Sequence, residues 1–135
     1  MALQFSVAVR NARLDQVESA IGTNAVLKIF SGAAPANCAA ANSGTLLASM
    51  ALPADWMGAA ASGAKSLIGT WQDASADATG TAGHWRLCSS DGATVGAQGT
   101  ITATGGGGDI ELSAVAIVAG QSITITAETL TEGNA

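Results

Sequence analysis

The feature that most constrains the fold is the alternation of apolar and polar residues between Val95 and Thr129. Alternation with a period of two, rich in β-branched residues, indicates strands that bury one face and leave the other in water. The predicted inward residues are Val95, Ala97, Ile101, Ala103, Ile110, Leu112, Ile123, Ile125 and Ala127. The predicted outward residues include Gln98, Thr100, Thr102, Thr104, Asp109, Glu111, Thr124, Thr126 and Glu128. This half of the chain therefore predicts a β fold.

One amphipathic helix is predicted over residues 6–21, near the N-terminus. Its narrow apolar stripe consists of Val7, Leu14, Val17 and Ile21. Ser6 can cap the start of the helix, and Gly22 can end it in a left-handed conformation. Two interpretations stay open, because the opposite side (Arg10, Arg13, Gln16) is polar. The helix lies across one open face of the strands, or it is an arm that packs on a partner.

Further strands are predicted at 25–30, 45–52, 65–71 and 83–89, and the last of these forms a hairpin with the Val95 strand through a turn at residues 90–92. Residues 73–83 contain no apolar side chain larger than alanine and are expected to form an exposed loop. In the strand predicted over residues 45–52, the residues expected to face inward are Leu46, Ala48, Met50 and Leu52. Trp56 and Met57 are expected to fold back as a lid on the core.

Short strands joined by glycine-rich turns predict an all-β protein, namely a β-sandwich, of which the jelly roll is one form, with one N-terminal helix. The predicted division is an arm and helix over residues 1–24 and a β-sandwich domain over residues 25–135. At 135 residues the chain suits one domain.

Charge and hydropathy exclude several classes of partner. The net charge is −5, and the five basic residues are scattered, so no patch could follow a phosphate backbone and no nucleic acid partner is expected. No apolar run approaches the roughly 20 residues that a membrane span needs. The N-terminus lacks the features of a signal peptide, so we expect assembly in a cytoplasm. Cys38 and Cys88 are then expected to be free thiols.

No catalytic set is recognisable. The only histidine is His84, no G-x-S-x-G motif accompanies it, and an ordinary hydrogen-bonded histidine is expected. A zinc site of His84 with Cys38 and Cys88 would lack one ligand. The acidic pairs are Asp73 with Asp77 and Asp109 with Glu111; a glycosidase pair or a calcium site is conceivable, but solvated carboxylates are the default. The chain is therefore predicted not to be an enzyme and to need no cofactor or metal.

The glycine run and the three tryptophans each have a structural interpretation and a ligand-binding one. The glycine run at residues 105–108 lacks the context of a phosphate-binding loop and is expected to be a mobile surface loop. Trp56, Trp71 and Trp85 could form a platform that stacks on sugars. Because the chain has two phenylalanines and no tyrosine to fill a core, at least two of these indoles are expected to be buried.

Segments spread over nearly the whole chain resemble a family of small proteins encoded by tailed bacteriophages and prophages. The matching segments are VRNARLD (9–15), KIFSGAAPANCA (28–39), LPADWM (52–57), GTW (69–71), TAGHW (81–85) and QGT (98–100) with the glycine run. The resemblance implies a virion structural protein, in particular a capsid cement or decoration protein with a β-sandwich or jelly-roll body. It implies binding to the major capsid protein at the capsid surface, as a homo-oligomer.

The expected contact residues lie in the N-terminal segment, where Leu3, Phe5, Val7 and Val9 place four large apolar residues within positions 2–9. They are Leu3, Phe5, Val7, Val9, Arg10 and Arg13. The alternative function is a phage tail or fibre component whose β-sandwich binds a glycan or host surface. Exposed tryptophans beside Asp73 would favour that alternative, whereas buried tryptophans and an apolar contact face around the helix would favour the capsid protein.

Overall fold

The structure is a computed structural model and describes residues 3–132. Within this range, one helix, α1 (Val7–Ile21), precedes ten short strands. The strands are β1 (Val26–Ser31), β2 (Leu46–Ala51), β3 (Ala64–Ser66), β4 (Trp71–Asp73), β5 (Gly80–Cys88), β6 (Val95–Ala103), β7 (Ile110–Leu112), β8 (Ala116–Ile117), β9 (Ile123–Ile125) and β10 (Thr129–Thr131). A β-rich chain with one N-terminal helix is thus confirmed.

The largest sheet has the order β2-β1-β5-β6-β7, with β8 paired to the start of β5, and it curls into a half-barrel. The pairs β2–β1, β1–β5 and β5–β6 are antiparallel. The pairing of β5 with β6 confirms the predicted hairpin. Strand β7 instead runs parallel to β6, with Ile101 opposite Ile110. That pairing puts both isoleucines on the core side.

Two small antiparallel sheets, β3 with β10 and β4 with β9, contribute to the same core. The buried cluster includes Leu27, Ile29, Leu47, Met50, Trp56, Met57, Trp71, Trp85, Leu87, Ile101, Ile110, Leu112, Ile117, Ile123 and Ile125. Ile101, Ile123 and Ile125 are buried as predicted, and Thr100 and Thr124 are exposed as predicted. The lid prediction also agrees, because Trp56 and Met57 lie in the core.

The helix begins and ends where its capping residues predict. The Ser6 hydroxyl accepts a hydrogen bond from the Val9 N–H at 3.3 Å. At the other end Gly22 has φ +97°, and its N–H donates to the Glu18 carbonyl at 2.9 Å. Both caps depend on residues adjacent in sequence, which is why they could be predicted.

The predicted strand over residues 65–71 is wrong as a single element. It is two strands, β3 and β4, separated by a turn in which Gly69 has φ +71°. A Cβ at Gly69 would lie 2.8 Å from the Pro53 ring, so glycine suits both the turn and the close approach. The two strands therefore pair with different partners, β10 and β9.

The predicted exposed loop at residues 73–83 is also wrong in part. Strand β5 begins at Gly80, and Ala76 is buried, with its N–H donating to the Gln121 carbonyl at 2.8 Å. The Asp77 N–H donates to the Leu47 carbonyl at 2.8 Å, so this segment covers the outer side of β2. Small residues permit this cover, since a Cβ at Gly80 would lie 2.9 Å from Leu47 Cδ2.

The pattern of buried and exposed residues in β2 also differs from the prediction. Ala48, Met50 and Leu52 are buried as expected, but Leu47 is fully buried and Leu46 only half-buried. The register of β1 with β2 shifts between Ile29 and Phe30. A bulge of this kind changes which residues face the core.

Alternation also fails after Ile125. Ala127, predicted to face inward, is exposed, whereas Glu128, predicted to face outward, is buried. Strand β9 ends at Ile125 and β10 begins at Thr129, so the residues between them do not belong to one continuous strand. Side chains alternate between the inward and outward faces only within one unbroken strand.

Candidate interaction surface

The N-terminal region exposes apolar side chains. Leu3 is 73% exposed, Val7 47% and Val9 43%. Further along the helix the exposed residues are small or polar, and they include Arg13. We call these exposed residues the N-terminal surface, which consists of Leu3, Val7, Ala8, Val9, Ala12, Arg13, Gln16, Ser19 and Ala20. Arg13 is the one charged member of this set.

The other predicted contact residues are engaged within the chain. Arg10 Nη1 donates to the Glu132 carbonyl at 3.1 Å, and Arg13 pairs with the Glu132 carboxylate at 2.8 Å. The Arg13 guanidinium also lies over the Phe5 ring, 5.0 Å from its centroid. Of the six predicted contact residues, Leu3, Val7, Val9 and Arg13 are exposed, and Phe5 and Arg10 are partly buried.

The inner side of the helix is held mainly by polar contacts, with Leu14 as its one fully buried residue. Asn11 and Asp15 accept hydrogen bonds from the N–H groups of Gly63 and Ala60, each at 2.9 Å. Glu18 Oε1 accepts from the N–H groups of residues 56 and 57. Irregular backbone near these residues leaves N–H groups to be satisfied, and the helix supplies their acceptors.

Lys65 links the helix to β3. Its Nζ lies 2.9 Å from Asp15 Oδ1, 2.9 Å from Glu18 Oε2 and 2.8 Å from the Gly58 carbonyl oxygen, and the residue is buried. Burial alone would lower the pKa of Lys65, but its bonds to the two carboxylates outweigh burial and raise that pKa. The hydrogen bond from Lys65 lowers the pKa of Asp15. Lys65 therefore stays protonated and is suited to fixing the helix, not to nucleophilic chemistry.

A carboxyl pair borders this lysine in a surface cleft of about 490 Å³. Burial would raise the pKa of Glu18, but hydrogen bonds from Lys65 and the Met57 N–H lower it. A hydrogen bond to Glu18 raises the pKa of Asp55. Two carboxyl groups that share one proton can act as a general acid and a general base. Here Glu18 also bonds to two backbone N–H groups, which makes this carboxylate a structural anchor.

The segment over residues 32–44 covers the second face of β5, so that His84 to Cys88 are all buried. His84 Nδ1 lies 2.9 Å from the Gly32 carbonyl oxygen, which agrees with the predicted hydrogen-bonded histidine, and its ring stacks on Phe30 at 5.2 Å. The approach at Gly83 needs glycine, since a Cβ there would lie 2.2 Å from the Gly32 oxygen.

Arg86 organises this covering segment. It is 1% exposed, and all five of its N–H donors are used. The acceptors are the carbonyls of Asn37, Cys38 and Ala40, the Asn42 side chain and the Gln98 side chain, at 2.7–3.2 Å. None of the acceptors is a carboxylate. The alternation of residues in β5 does not predict this role; its one signal in the sequence is an arginine between Trp85 and Leu87 in a chain poor in charge.

The acidic residues considered for a glycosidase pair or a calcium site form hydrogen bonds within the chain. Within residues 3–132 no three His, Cys, Asp or Glu side chains are arranged to hold a metal ion. Asp73 accepts hydrogen bonds from the N–H groups of Ser49 and Ser75. Asp109 accepts from Thr100, through both its N–H and its hydroxyl. These carboxylates therefore stabilise turns and strand ends.

Backbone N–H groups of the glycine run bind a carboxylate of the same chain, that of Glu111. Gly105 and Gly107 have φ +88° and +80°, and their N–H groups donate to the Glu111 carboxylate at 3.1 and 3.0 Å. The Gly108 N–H donates to the Thr102 hydroxyl at 2.9 Å. Successive backbone N–H groups in such a loop favour an anion, and Glu111 occupies that position.

All three tryptophans are buried, with exposed fractions of 0% for Trp56, 1% for Trp71 and 5% for Trp85. Trp56 and Trp71 contact each other with ring centroids 6.0 Å apart. The prediction that at least two are buried is confirmed. An indole stacks on a sugar only when its face is accessible, so these three residues offer no stacking platform.

Cys38 and Cys88 are both free thiols, and Cys88 is buried. We expect thermal unfolding to be unchanged by a chelator and by a reductant, since metal and disulfide bonds are predicted to contribute nothing to stability. The measurement is a melting curve with and without each reagent. A fall of more than about 5 °C, equivalent to roughly 1.5 kcal/mol in a domain of this size, would contradict the prediction.

No helix in the described part of the chain is long and apolar enough to cross a membrane. Comparisons with protein-family models, with curated proteins and with solved structures found no match for this chain.

Proposed function

We propose that the protein is a structural virion protein of a tailed bacteriophage, namely a cement or decoration protein that binds major capsid subunits. The observation that carries this proposal is the N-terminal surface, on which exposed apolar side chains occur with a single charged residue, Arg13, that is already paired with Glu132. Interface cores are depleted in charged residues, because a charge buried without a partner is costly. Arg13 on this surface and Arg10 beside it are both bound to Glu132, so the surface can be buried while these two contacts stay intact.

The burial of the tryptophans weighs against the alternative function in a tail or fibre. That alternative requires an indole face beside Asp73 on which a glycan can stack. Trp71 is buried, and Asp73 accepts hydrogen bonds from two backbone N–H groups. The two features on which glycan recognition would depend are therefore committed to the fold.

In this role the protein would act as a homo-oligomer at the capsid surface. It would assemble onto the capsid in the host cytoplasm. A helix of 15 residues is about 22 Å long, so its outer side alone is smaller than the roughly 800 Å² per partner that a standard interface buries. Repeated contacts through an oligomer would convert individually weak binding into lasting attachment.

The proposed body is a β-sandwich, with the two small sheets as the layer opposite the large one. The supporting observation is that Trp71, Ile123 and Ile125 from the small sheets belong to the same buried cluster as the large sheet. A jelly roll remains one form of this architecture.

The double substitution Leu3→Glu with Val9→Glu tests the proposal, because it places charge on the N-terminal surface and leaves the Ser6 cap intact. We expect an unchanged melting temperature, at least tenfold weaker self-association in analytical ultracentrifugation, and loss of co-sedimentation with capsids of the encoding phage. Two buried charges at an interface would each cost more than the roughly 1.4 kcal/mol that corresponds to a factor of ten.

The matched control is Val118→Glu, which changes an apolar residue that is 60% exposed outside the N-terminal surface. This variant should sediment as the wild type does. The proposal fails if the double variant self-associates and binds capsids as well as the wild type, or if Val118→Glu abolishes binding equally.

A further inference from the structure

The helix α1 lies outside the hydrophobic core and is anchored at its C-terminal end. The buried cluster that forms the core of the described chain draws its members from residues 25–125, and Leu14, the one fully buried residue of the helix, is not among them. Ile21 packs against this cluster from outside. The Gly22 carbonyl, directly after the helix, accepts a hydrogen bond from Trp56 Nε1 at 2.9 Å. The strands can therefore keep their core while α1 moves about this anchored end.

Two carboxylates one turn apart hold the inner side of α1 on the rest of the chain. Asp15 Oδ1 accepts from the Ala60 N–H at 2.9 Å. Glu18 Oε1 accepts from the N–H groups of residues 56 and 57, at 3.2 and 3.1 Å. Both carboxylates also pair with Lys65 Nζ, each at 2.9 Å. The same two side chains thus bind irregular backbone and an ammonium group on β3.

Lys65 makes this attachment depend on charge. Its side chain is 3% exposed, and besides the two carboxylates its ammonium group donates to the Gly58 carbonyl at 2.8 Å. A carbonyl carries no net charge, so the burial of the ammonium is compensated mainly by Asp15 and Glu18. Removing one partner of a buried ion pair is strongly destabilising, because the other charge is left uncompensated. Protonation of the two carboxylates would have this effect on Lys65.

Solvent protons can reach both carboxylates. Asp15, Glu18, Asp55 and Lys65 line the same surface cleft of about 490 Å³. The side chain of Asp15 is 47% exposed and that of Glu18 is 17% exposed. The buried ammonium therefore faces groups that can exchange protons with water without unfolding of the core.

We propose that Asp15, Glu18 and Lys65 form an acid-sensitive latch, which holds α1 on the strands at neutral pH and releases it, as an arm attached at Gly22, when the two carboxylates are protonated. The sequence left open whether the helix lies across the strands or is an arm that packs on a partner. In this proposal the two arrangements are the closed and open states of one protein. The latch concerns how the helix is attached and holds whether or not the protein is a capsid protein.

The direction of the pH effect agrees with the latch. On the folded chain the pKa values of Asp15 and Glu18 lie below their ordinary values of 3.8 and 4.5. Release of the helix restores the ordinary values, so the open state binds more protons in this range. The contribution of the two carboxylates is complete above about pH 5. It is lost as the pH falls through the lowered values, by up to about tenfold in the closing equilibrium per pH unit for each group.

The other charged groups that face the helix either oppose this effect or lie at a second attachment. A hydrogen bond to Glu18 raises the pKa of Asp55, so a proton on Asp55 supports the closed state, and this contribution is lost as the pH rises. At the end of β10, the Glu132 carboxylate pairs with Arg13 at 2.8 Å, and the Glu132 carbonyl accepts from Arg10 at 3.1 Å. The contact through the carbonyl does not titrate.

Amide hydrogen exchange measures the latch, because the N–H groups of Met57, Ala60 and Gly63 donate to side chains of the helix. Between pH 7 and pH 3 these three amides of the wild type should lose at least about tenfold in protection, after correction for the intrinsic rates. The amides of Leu27 and Ile29, in the central part of the large sheet, should keep their protection.

Neutral side chains of the same shape imitate the protonated state at pH 7. In Asp15→Asn with Glu18→Gln, amide oxygens can still accept the backbone hydrogen bonds, but Lys65 loses both opposite charges. The three reporter amides should then be unprotected at pH 7. Adding Lys65→Met should restore their protection and remove its loss in acid, since apolar residues can replace a buried ion pair. The control Asp77→Asn, at an exposed acid beside β2, should behave as the wild type does.

Lys65→Met alone is the second variant, for use if the double variant does not fold. Without a buried ammonium group, acid should no longer release the helix. The proposal is overturned if the wild type keeps the reporter amides protected at pH 3, or if it loses them only together with the amides of the large sheet. It is also overturned if Lys65→Met does not restore protection to the double variant, or if Lys65→Met alone loses protection in acid as the wild type does.

Discussion

Replacing Arg86 with lysine is expected to lower the free energy of unfolding by about 3 kcal/mol, or roughly 10 °C in melting temperature. Lysine keeps the positive charge but has three N–H donors, so at least two of the five acceptors lose their partner. It is also a compact charge with stronger hydration, which makes burial without a carboxylate more costly. The measurement is denaturant unfolding of both proteins at one pH.

The matched control is Arg13→Lys, which makes the same chemical change at a half-exposed arginine with one ion pair. It should cost less than about 1 kcal/mol. Hydrogen exchange adds a local readout, because the N–H groups of Ala39 and Ala40, bonded to Asn37 Oδ1, should lose protection in Arg86→Lys. Equal losses for the two substitutions would mean that Arg86 does not organise residues 32–44.

Replacing Ile123 with alanine is expected to lower the free energy of unfolding by roughly 2–5 kcal/mol, because the change leaves a cavity in a buried position. Ile123 is 5% exposed and lies opposite Asp73 on β4. The adjacent substitution Thr124→Ala removes an exposed side chain and should cost well under 1 kcal/mol.

The pair Ile123→Ala and Thr124→Ala thus reports the register of β9 with β4. Both variants are measured by denaturant unfolding beside the wild type. A shift of one residue in the pairing would exchange the two faces. Similar losses at both positions would show that the register is different, and a larger loss at Thr124 would show that it is reversed.

The buried Lys65 and Arg86 share a physical role in a chain with few charges. Lys65 fixes the helix, and Arg86 fixes residues 32–44. Each joins segments distant in sequence. Polar contacts of this kind can be satisfied only in one arrangement, so they specify how the segments dock as well as contributing to stability.

Local sequence determined the helix, its caps, the β5–β6 hairpin and the burial of Ile101, Ile123 and Ile125. Caps and tight turns depend on residues within a few positions of each other, and a period of two identifies the apolar face of a strand. Only the tertiary structure decided which segments of the chain cover the polar faces of the strands. Residues 32–44 bury Arg86, and the break after Ile125 turns Glu128 inward, because both outcomes depend on contacts between residues far apart in the chain. Alternation distinguishes two faces of a strand, but it carries no information about the segment that packs on the second one.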